Sequence, residues 1–147
     1  MEQKKLKNIF ISGPVSPMQI ADSIQKHQSK TNIGGHSIFL GQVRADHIGT
    51  EEVVGINYTA YQDMAMEKMH EIREAIFAKY PIICMHVYHS LGMVPTGEIC
   101  LFVFTSSAHR KAAMDACDEL VERIKAELPV WGKEILTNDA HQWKENK

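Results

Sequence analysis

No stretch of the sequence is apolar for long enough to cross a membrane. A transmembrane helix needs about 20 consecutive apolar residues, and the most apolar run of the chain, EICLFVFTSS, is much shorter. A secretory signal peptide is not expected either, because its apolar region takes roughly 7–15 residues and only IFI follows the basic first segment. These absences argue against a membrane-embedded or exported protein.

Cysteine is scarce, and its three copies cannot all pair within the chain. Cys84, Cys100 and Cys117 lie in apolar contexts, which favours buried thiols of a cytoplasmic protein over a disulfide framework. Basic clusters are missing too, since the net charge is −2 and no Lys/Arg block runs past a few residues. That balance argues against binding to nucleic acid.

Several motifs that would identify a reaction are absent. The chain has neither a glycine-rich phosphate loop nor a G-x-S-x-G elbow around a nucleophilic serine. No pair of cysteines or histidines has convincing zinc-ligand spacing. His86 and His89 lie three apart in a predicted strand, so they should point to opposite faces. We therefore expect no bound metal.

What the chain does contain is an alternation of strand and helix patterns. Two long helices are predicted from apolar residues at helical spacing, in DMAMEKMHEIREAIFAKY and AHRKAAMDACDELVERIKAEL. A shorter helix should begin with Ser16 as its N-cap and Pro17 after it. Strands are predicted in KNIFISG, GGHSIFLGQVRA, EEVVGINYTAY, IICMHVYHSL, EICLFVFTSS and VWGKEIL.

The connections between these elements complete the predicted fold. DHIGTE is interpreted as a loop, GMVPTGE as a turn, and the chain from about residue 137 as a polar tail. Some strands follow one another directly and suggest hairpins, so we predict an α+β fold with a mixed or antiparallel sheet. A length of 147 residues suits one domain with its own core, spanning residues 1–147.

The segment TSSAHR joins a buried strand to the start of a helix and is the strongest local signal for a site. Ser107 is a plausible N-cap, which puts His109 and Arg110 in the first helical turn. The helix dipole disfavours cations there, but a bound anion such as phosphate would suit them. The alternative is a capping histidine beside a surface arginine, and the residues alone leave both open.

Arg44 and Lys125 are two further candidates. Arg44 ends a predicted strand beside a polar loop, and Gly41 within that strand indicates a bulge or a close backbone approach. Lys125 follows the core-facing Ile124, about 100° further around the helix, so it lies at the border of the buried face. Ordinary surface behaviour also explains each, since a border lysine can extend its ammonium group to water.

Taken together, these residues resemble the large, catalytic subunit of molybdopterin synthase, the MoaE family. The resemblance covers about residues 34 to 143. It is carried, in order and spacing, by FLGQVR, YTAYQDMA, HSLGMVPTGE, SSAHRKAAMDAC and IKAELPVWGKE. It implies a hammerhead-type α+β fold with two long helices.

The same resemblance implies a sulfurtransferase. Such enzymes convert a cyclic pyranopterin monophosphate into molybdopterin, the precursor of the molybdenum cofactor, by building its dithiolene. The sulfur comes from the C-terminal thiocarboxylate of a ubiquitin-like small subunit, whose tail inserts into a pocket on the large subunit. Also implied are a homodimer of large subunits with one small subunit at each end, a heterotetramer, and no cofactor of its own.

By motif, the resemblance implies roles for five residues. Arg44, His109 and Arg110 would hold the phosphate and the pterin, and Phe39 would line the same pocket. Lys125 would lie at the thiocarboxylate and the reacting carbon. Arginine offers phosphate a fixed, permanently charged fork. Lysine offers a transferable proton and a point charge that stabilises negative charge on oxygen.

The spacing of these residues adds a constraint. His109 and Lys125 are sixteen residues apart in one predicted helix, which separates them by roughly 24 Å. One small pocket cannot easily use both from the same chain. We therefore predict that each pocket takes Lys125 from one protomer and His109 with Arg110 from the other.

The sequence departs from the family directly after the tryptophan, where the family has a lysine. Gly132 stands there and Lys133 follows. Lys133 could act as a second catalytic lysine only if Gly132 formed a bulge, because neighbouring strand residues point to opposite faces. In the tail, Lys147 is a further candidate for substrate binding at the partner protomer's pocket.

Two other functions stay open, and the first of them follows from this departure. One is a non-catalytic binding or scaffold protein of the same fold that has lost the second lysine at Gly132. The other is a different phosphate-recognising enzyme that uses the His109–Arg110 site without a partner.

Overall fold

A computed structural model describes residues 6–145, which form three helices and eight strands in one sheet. In chain order the elements are β1 (Phe10–Ser12), α1 (Pro17–His27), β2 (Gly35–Gln42), β3 (His47–Ile48), β4 (Glu51–Ala60), α2 (Gln62–Lys79), β5 (Ile82–Pro95), β6 (Ile99–Ser107), α3 (Arg110–Glu127), β7 (Val130–Leu136) and β8 (His141–Trp143). The main path of the sheet is β2-β6-β5-β4-β7-β8, with β1 beside β5 and β3 beside β4. The β1–β5 pair is parallel and the other pairs are antiparallel, which confirms the predicted α+β fold with a mixed sheet.

The core lies on both faces of the sheet at β6. Leu101 and Val103 belong to a large buried cluster that includes the apolar faces of α2 and α3. Phe102 and Phe104 alternate with them and pack in a smaller cluster with Ile20 of α1. A strand buried on both faces needs apolar residues at nearly every position, which explains why this run is the most apolar of the chain.

The helices bury the faces that their sequence patterns predict. The buried side chains are Ala65, Met69, Ile72 and Ile76 on α2, and Ala113, Ala116, Leu120 and Ile124 on α3. At the start of α1, the Ser16 hydroxyl accepts the Met18 N–H at 3.2 Å and Pro17 is the first helical residue, as predicted. All three cysteines are free and buried. Within residues 6–145, no helix has the length and apolar character needed to cross a membrane.

The structure differs from the sequence prediction in three connections. The supposed loop DHIGTE contains β3, and the supposed polar tail contributes β8, whose Trp143 pairs with Lys133. β5 does not end at the predicted turn but runs through Gly92 to Pro95, because this second half pairs with β4. The turn follows at Gly97, where φ is 86°.

A chain of hydrogen bonds through two histidines ties α1 to β5. His27 donates from Nδ1 to the Ser23 carbonyl at 2.6 Å, which leaves its Nε2 to accept. His86 donates from Nε2 to that nitrogen at 2.8 Å and accepts at Nδ1 from the Lys7 ammonium group at 3.0 Å. All of these hydrogen bonds can form together only while both imidazole rings are neutral. Burial and, second, the charge of Lys7 lower the pKa of His86 to about 4.

We predict that the protein loses stability as the pH falls from 6.5 towards 4. The pKa of His86 is lowered from 6.5 to about 4 in the folded protein. Between these two pH values the unfolded protein therefore binds more protons than the folded protein, so stability decreases as the pH decreases. His86 is partly exposed and solvent screens part of the effect, so we expect a loss of about 1–2 kcal/mol in urea unfolding.

Two variants serve as the comparison. His86→Gln removes the titrating ring and should make the pH dependence shallower, while the part that comes from His89, whose pKa burial also lowers, remains. His70→Gln alters a histidine on α2 that faces Glu74, and it should keep the wild-type slope. The same slope in all three proteins would contradict the assignment to His86.

Candidate functional site

Ser107 stabilises the start of α3, although it lies two residues before the N-cap position. His109 occupies the N-cap position with extended backbone and makes no side-chain capping bond, so the predicted capping role of Ser107 is wrong in position. Ser107 is buried, accepts the Ala113 N–H at 2.9 Å and donates to the His109 carbonyl. The side chains of His109 and Arg110 are therefore left exposed at the helix start.

Two glycines fix the place of this helix start. A Cβ atom on Gly34 would lie 2.1 Å from the Ala108 carbonyl oxygen, and one on Gly35 would lie 3.2 Å from the Arg110 Cα. The Gly34 N–H also donates to the Ser107 carbonyl at 3.0 Å. Only residues without a side chain allow β2 and the segment before α3 to approach so closely.

A surface cavity of about 610 Å³ lies at this end of α3, and we refer to it as the helix-start cavity. It is lined by His109 and Arg110, together with Gly34, Lys111 and Asp115. Arg110 and Lys111 give it a cationic rim, although Lys111 is already paired with Asp115 at 3.1 Å.

Lys125 lies at the other end of α3, in its last turn. Its side chain is exposed while Ile124 before it is buried, as the border position predicts. The ammonium nitrogen is 5.9 Å from the centre of the Phe39 ring, within the range of a cation–π contact. Lys125 lines two adjoining cavities, a wide one and a narrow one.

The wide cavity has a volume of about 770 Å³ and brings together three of the predicted residues, Phe39, Arg44 and Lys125. The Arg44 guanidinium group contacts the Asp46 carboxylate at 3.3 Å, and the arginine side chain remains 77% exposed. The β2–β6 register shifts between Gly41 and the next residue, which is the irregularity predicted for this glycine. The bulge bends the strand just before Arg44.

The structure thus divides the predicted residues between two places. Arg44, Phe39 and Lys125 meet in the wide cavity, whereas His109 and Arg110 line the helix-start cavity. One uninterrupted helix separates the two groups.

The narrow cavity has a volume of about 140 Å³ and is lined by both polar and apolar residues. His89 donates from Nδ1 to the Ser90 carbonyl at 2.8 Å, and burial lowers the pKa of this histidine, so its ring is neutral. Burial also raises the pKa of the Tyr58 hydroxyl far above its usual range, so the hydroxyl keeps its proton. Among the described residues that line the cavity, the charged ones are Lys125 and Lys144.

Gly132 lines the narrow cavity but does not form a bulge. It pairs with Tyr58 and Lys133 pairs with Asn57, in a regular stretch of the β4–β7 ladder. Lys133 therefore points away from the face of Gly132, and its ammonium nitrogen lies 5.8 Å from the Trp143 ring centre. The condition on which Lys133 would recover the position of the family lysine is not met.

Two other lysines complete the account of the predicted site. Lys147 lies outside the described residues. Lys144 lines both the narrow and the wide cavity but is not among the residues that the sequence predicts. Its segment carries only a polar pattern, and pairing with β7 is what brings it to the site. Within residues 6–145, no three His, Cys, Asp or Glu side chains are grouped so that they could hold a metal ion.

Comparison with known families matches most of the chain to one of them. The family described as MoaE protein matches residues 14–127. The molybdopterin synthase catalytic subunit of Pyrococcus abyssi is 35% identical over 117 residues, which cover 80% of this chain and 78% of that protein. The proteins of the same name from Homo sapiens and Drosophila grimshawi are both 36% identical and match 78% and 77% of this chain. This chain spans only 60% and 32% of those two relatives.

Solved structures share the fold. A crystal structure of molybdopterin synthase from Staphylococcus aureus superposes with a TM-score of 0.80 and 26% identity, covering 99% of this chain and 100% of that one. A complex of subunits 1 and 2 of the molybdopterin-converting factor from Helicobacter pylori gives a TM-score of 0.79, covering 94% of this chain and 90% of that one. Its identity is 18%, so it bears on the fold alone.

We predict that Gly34→Ala destabilises the protein by about 2–3 kcal/mol, as overpacking against a rigid neighbour does. The added methyl would lie 2.1 Å from a backbone oxygen, which cannot rotate away. Gly35→Ala is the matched control, because its methyl meets its nearest atom at 3.2 Å and should cost less. Urea unfolding measures both, and equal midpoints for the two variants would contradict the close approach at Gly34.

Proposed function

This chain belongs to the MoaE protein family, and from that membership we propose that it is the sulfur-transferring large subunit of a molybdopterin synthase. In this function, sulfur passes from the C-terminal thiocarboxylate of a ubiquitin-like small subunit to a cyclic pyranopterin monophosphate, whose dithiolene is thereby built. The observation that carries the proposal is that two cavities of different size meet at Lys125.

The sizes of the cavities suggest which ligand each one takes. Small-molecule sites commonly have volumes of about 300–1,000 Å³, so the wide cavity, at about 770 Å³, suits the pterin. Arg44 lines it and offers the planar cationic fork that phosphate prefers. The narrow cavity, at about 140 Å³, suits the end of an extended peptide tail.

Lys125 then lies between the two reactants. When sulfur leaves the acyl group of the tail, negative charge develops on oxygen, and a lysine ammonium group placed there stabilises it. Its contact with Phe39 in the wall of the wide cavity holds the side chain near the substrate side. We assign Lys125 to catalysis, and we assign Arg44 and Phe39 to substrate binding.

We further propose that the active unit is a homodimer with shared pockets. In one chain His109 and Arg110 line a cavity separate from that of Lys125, at the opposite end of α3. A second protomer would bring their cationic side chains to the phosphate side of the wide cavity. With a small subunit at each end, the assembly is a heterotetramer.

The setting of the reaction is part of the proposal. Free, buried cysteines are consistent with a reducing compartment, so we place the protein in the cytoplasm. Sulfur transfer from a thiocarboxylate needs no redox cofactor, and we expect none.

A second candidate is a non-catalytic binding or scaffold protein of the same fold. The observation that favours it is Gly132 in place of the family lysine, with Lys133 turned to the other face of β7. Such a protein would bind the small subunit without forming product.

We predict that the protein, given thiocarboxylated small subunit and cyclic pyranopterin monophosphate, forms the dithiolene product. Lys125→Ala should lower the rate at least about 10²-fold, as the loss of one oxyanion-stabilising group does. Lys26→Ala, on the exposed last turn of α1, should react like the wild type. Binding of the small subunit without product in the wild type would support the scaffold function instead.

We predict that Lys125→Ala and Arg110→Ala chains complement each other when mixed. Random pairing in equal amounts gives one intact shared pocket in each mixed dimer, so activity should recover to about a quarter of the wild-type value. Each variant alone stays at its low parental rate. No recovery above the parents, with mixed dimers verified by mass, would show that each pocket is built from a single chain.

A further inference from the structure

We propose that Lys144 supplies a second ammonium group to the narrow cavity, where it and Lys125 together bind the anionic C-terminus of the partner's tail. The inference rests on the proposed function for the identity of the tail. Lys144 would be a catalytic residue that reaches the site from the position directly after β8, opposite Gly132, which provides no side chain.

The strand register puts Lys144 on the correct face. The β7–β8 ladder pairs Lys133 with Trp143, and the Lys144 N–H continues it by donating to the Gly132 carbonyl at 2.8 Å. Lys144 therefore stands directly opposite Gly132. Side chains directly opposite each other in an antiparallel pair share one face of the sheet.

The next strand extends this alignment into the cavity. Gly132 pairs with Tyr58 on its other side, and Tyr58 lines the narrow cavity. Lys144, Gly132 and Tyr58 thus form one row across β8, β7 and β4 on the face of the cavity. Lys133 and Trp143 form the neighbouring row, which points to the opposite face.

Steric crowding explains why a neighbouring strand supplies the charge. A Cβ atom on Gly132 would lie 2.9 Å from Ile56 Cγ2 and 3.1 Å from Tyr58 Cε1. Ile56 is 2% exposed, so its methyl group has little room to move. A side chain at position 132 would have to displace these two residues, whereas Lys144 already lines the cavity from the neighbouring segment.

The charges select the ligand. Of the described residues lining the narrow cavity, Lys125 and Lys144 carry charge, and both are cationic. The carboxylates nearby, those of Asp46, Glu134 and Glu145, line the adjoining wide cavity, which the two lysines also line. Two ammonium groups that line one cavity give it a positive potential, which favours an anionic ligand. A carboxylate or thiocarboxylate at the end of a chain is such an anion and fits a cavity of about 140 Å³.

The first test measures binding and rate separately. Lys144→Ala should weaken binding of the small subunit, with its tail as carboxylate, by at least about tenfold, the value of one charge-assisted contact. In the product assay, kcat/KM for the thiocarboxylated small subunit should fall at least as far. The KM for the pterin should change little, because the proposal assigns Lys144 to the tail. A raised KM for the pterin would indicate instead that Lys144 binds the phosphate.

The second test restores the charge chemically. Lys144→Cys should lose activity and regain most of it after alkylation with 2-bromoethylamine, which rebuilds an ammonium group of nearly the same length. Iodoacetamide, which adds a neutral amide, should not restore it. The native cysteines are at most 8% exposed, and wild-type protein treated in parallel controls for their alkylation. Lys26→Cys, treated in the same way, should keep wild-type activity throughout.

The outcomes separate this inference from the proposed function. If the wild type forms product and Lys144→Ala keeps more than half of its activity and affinity, Lys144 has no such role. Loss of activity in Lys133→Ala but not in Lys144→Ala would likewise overturn it. If the wild type forms no product, the proposed enzymatic function fails, and the binding measurement still decides whether Lys144 holds the tail.

Discussion

The packing of α3 against β2 and β6 determines where every other part of the site can be. The helix buries Ala113, Leu120 and Ile124 along its length, and at its start Thr105 of β6 donates a hydrogen bond from Oγ1 to the Ala113 carbonyl at 2.7 Å. Because the helix runs without interruption over eighteen residues, it keeps its two ends apart. One end carries His109 and the other Lys125, so a pocket that uses both needs two copies of the chain.

The second determinant is the register of β4, β7 and β8. In a sheet, a shift of one residue moves every side chain to the other face. The regular pairing through Gly132 places Lys133 away from the cavities and Lys144 towards them. The chemistry of the site therefore depends on hydrogen bonds of the backbone as much as on the identity of any side chain.

Patterns that arise from burial could be read from the sequence, and those that arise from pairing could not. The apolar spacing of α2 and α3, the Ser16–Pro17 cap and the doubly buried β6 each follow from local chemistry. β3, β8 and the second half of β5 depend on partners distant in sequence, and Gly92 and Pro95 resemble a turn when read alone. The same distinction applies to the site. Phe39, Arg44 and Lys125 could be grouped from sequence motifs, whereas the position of Lys144 depends on its pairing with Gly132.

The edge position of β8 has a consequence for how the protein responds to heat. β8 has three residues, all exposed, and β7 is its neighbour in the sheet. Short edge strands open locally at a lower free energy than the core. A site that draws one of its two cations from the residue directly after such a strand loses that charge when the strand frays, while the helices and the rest of the sheet remain folded. Thermal inactivation of the site would then precede thermal unfolding of the domain.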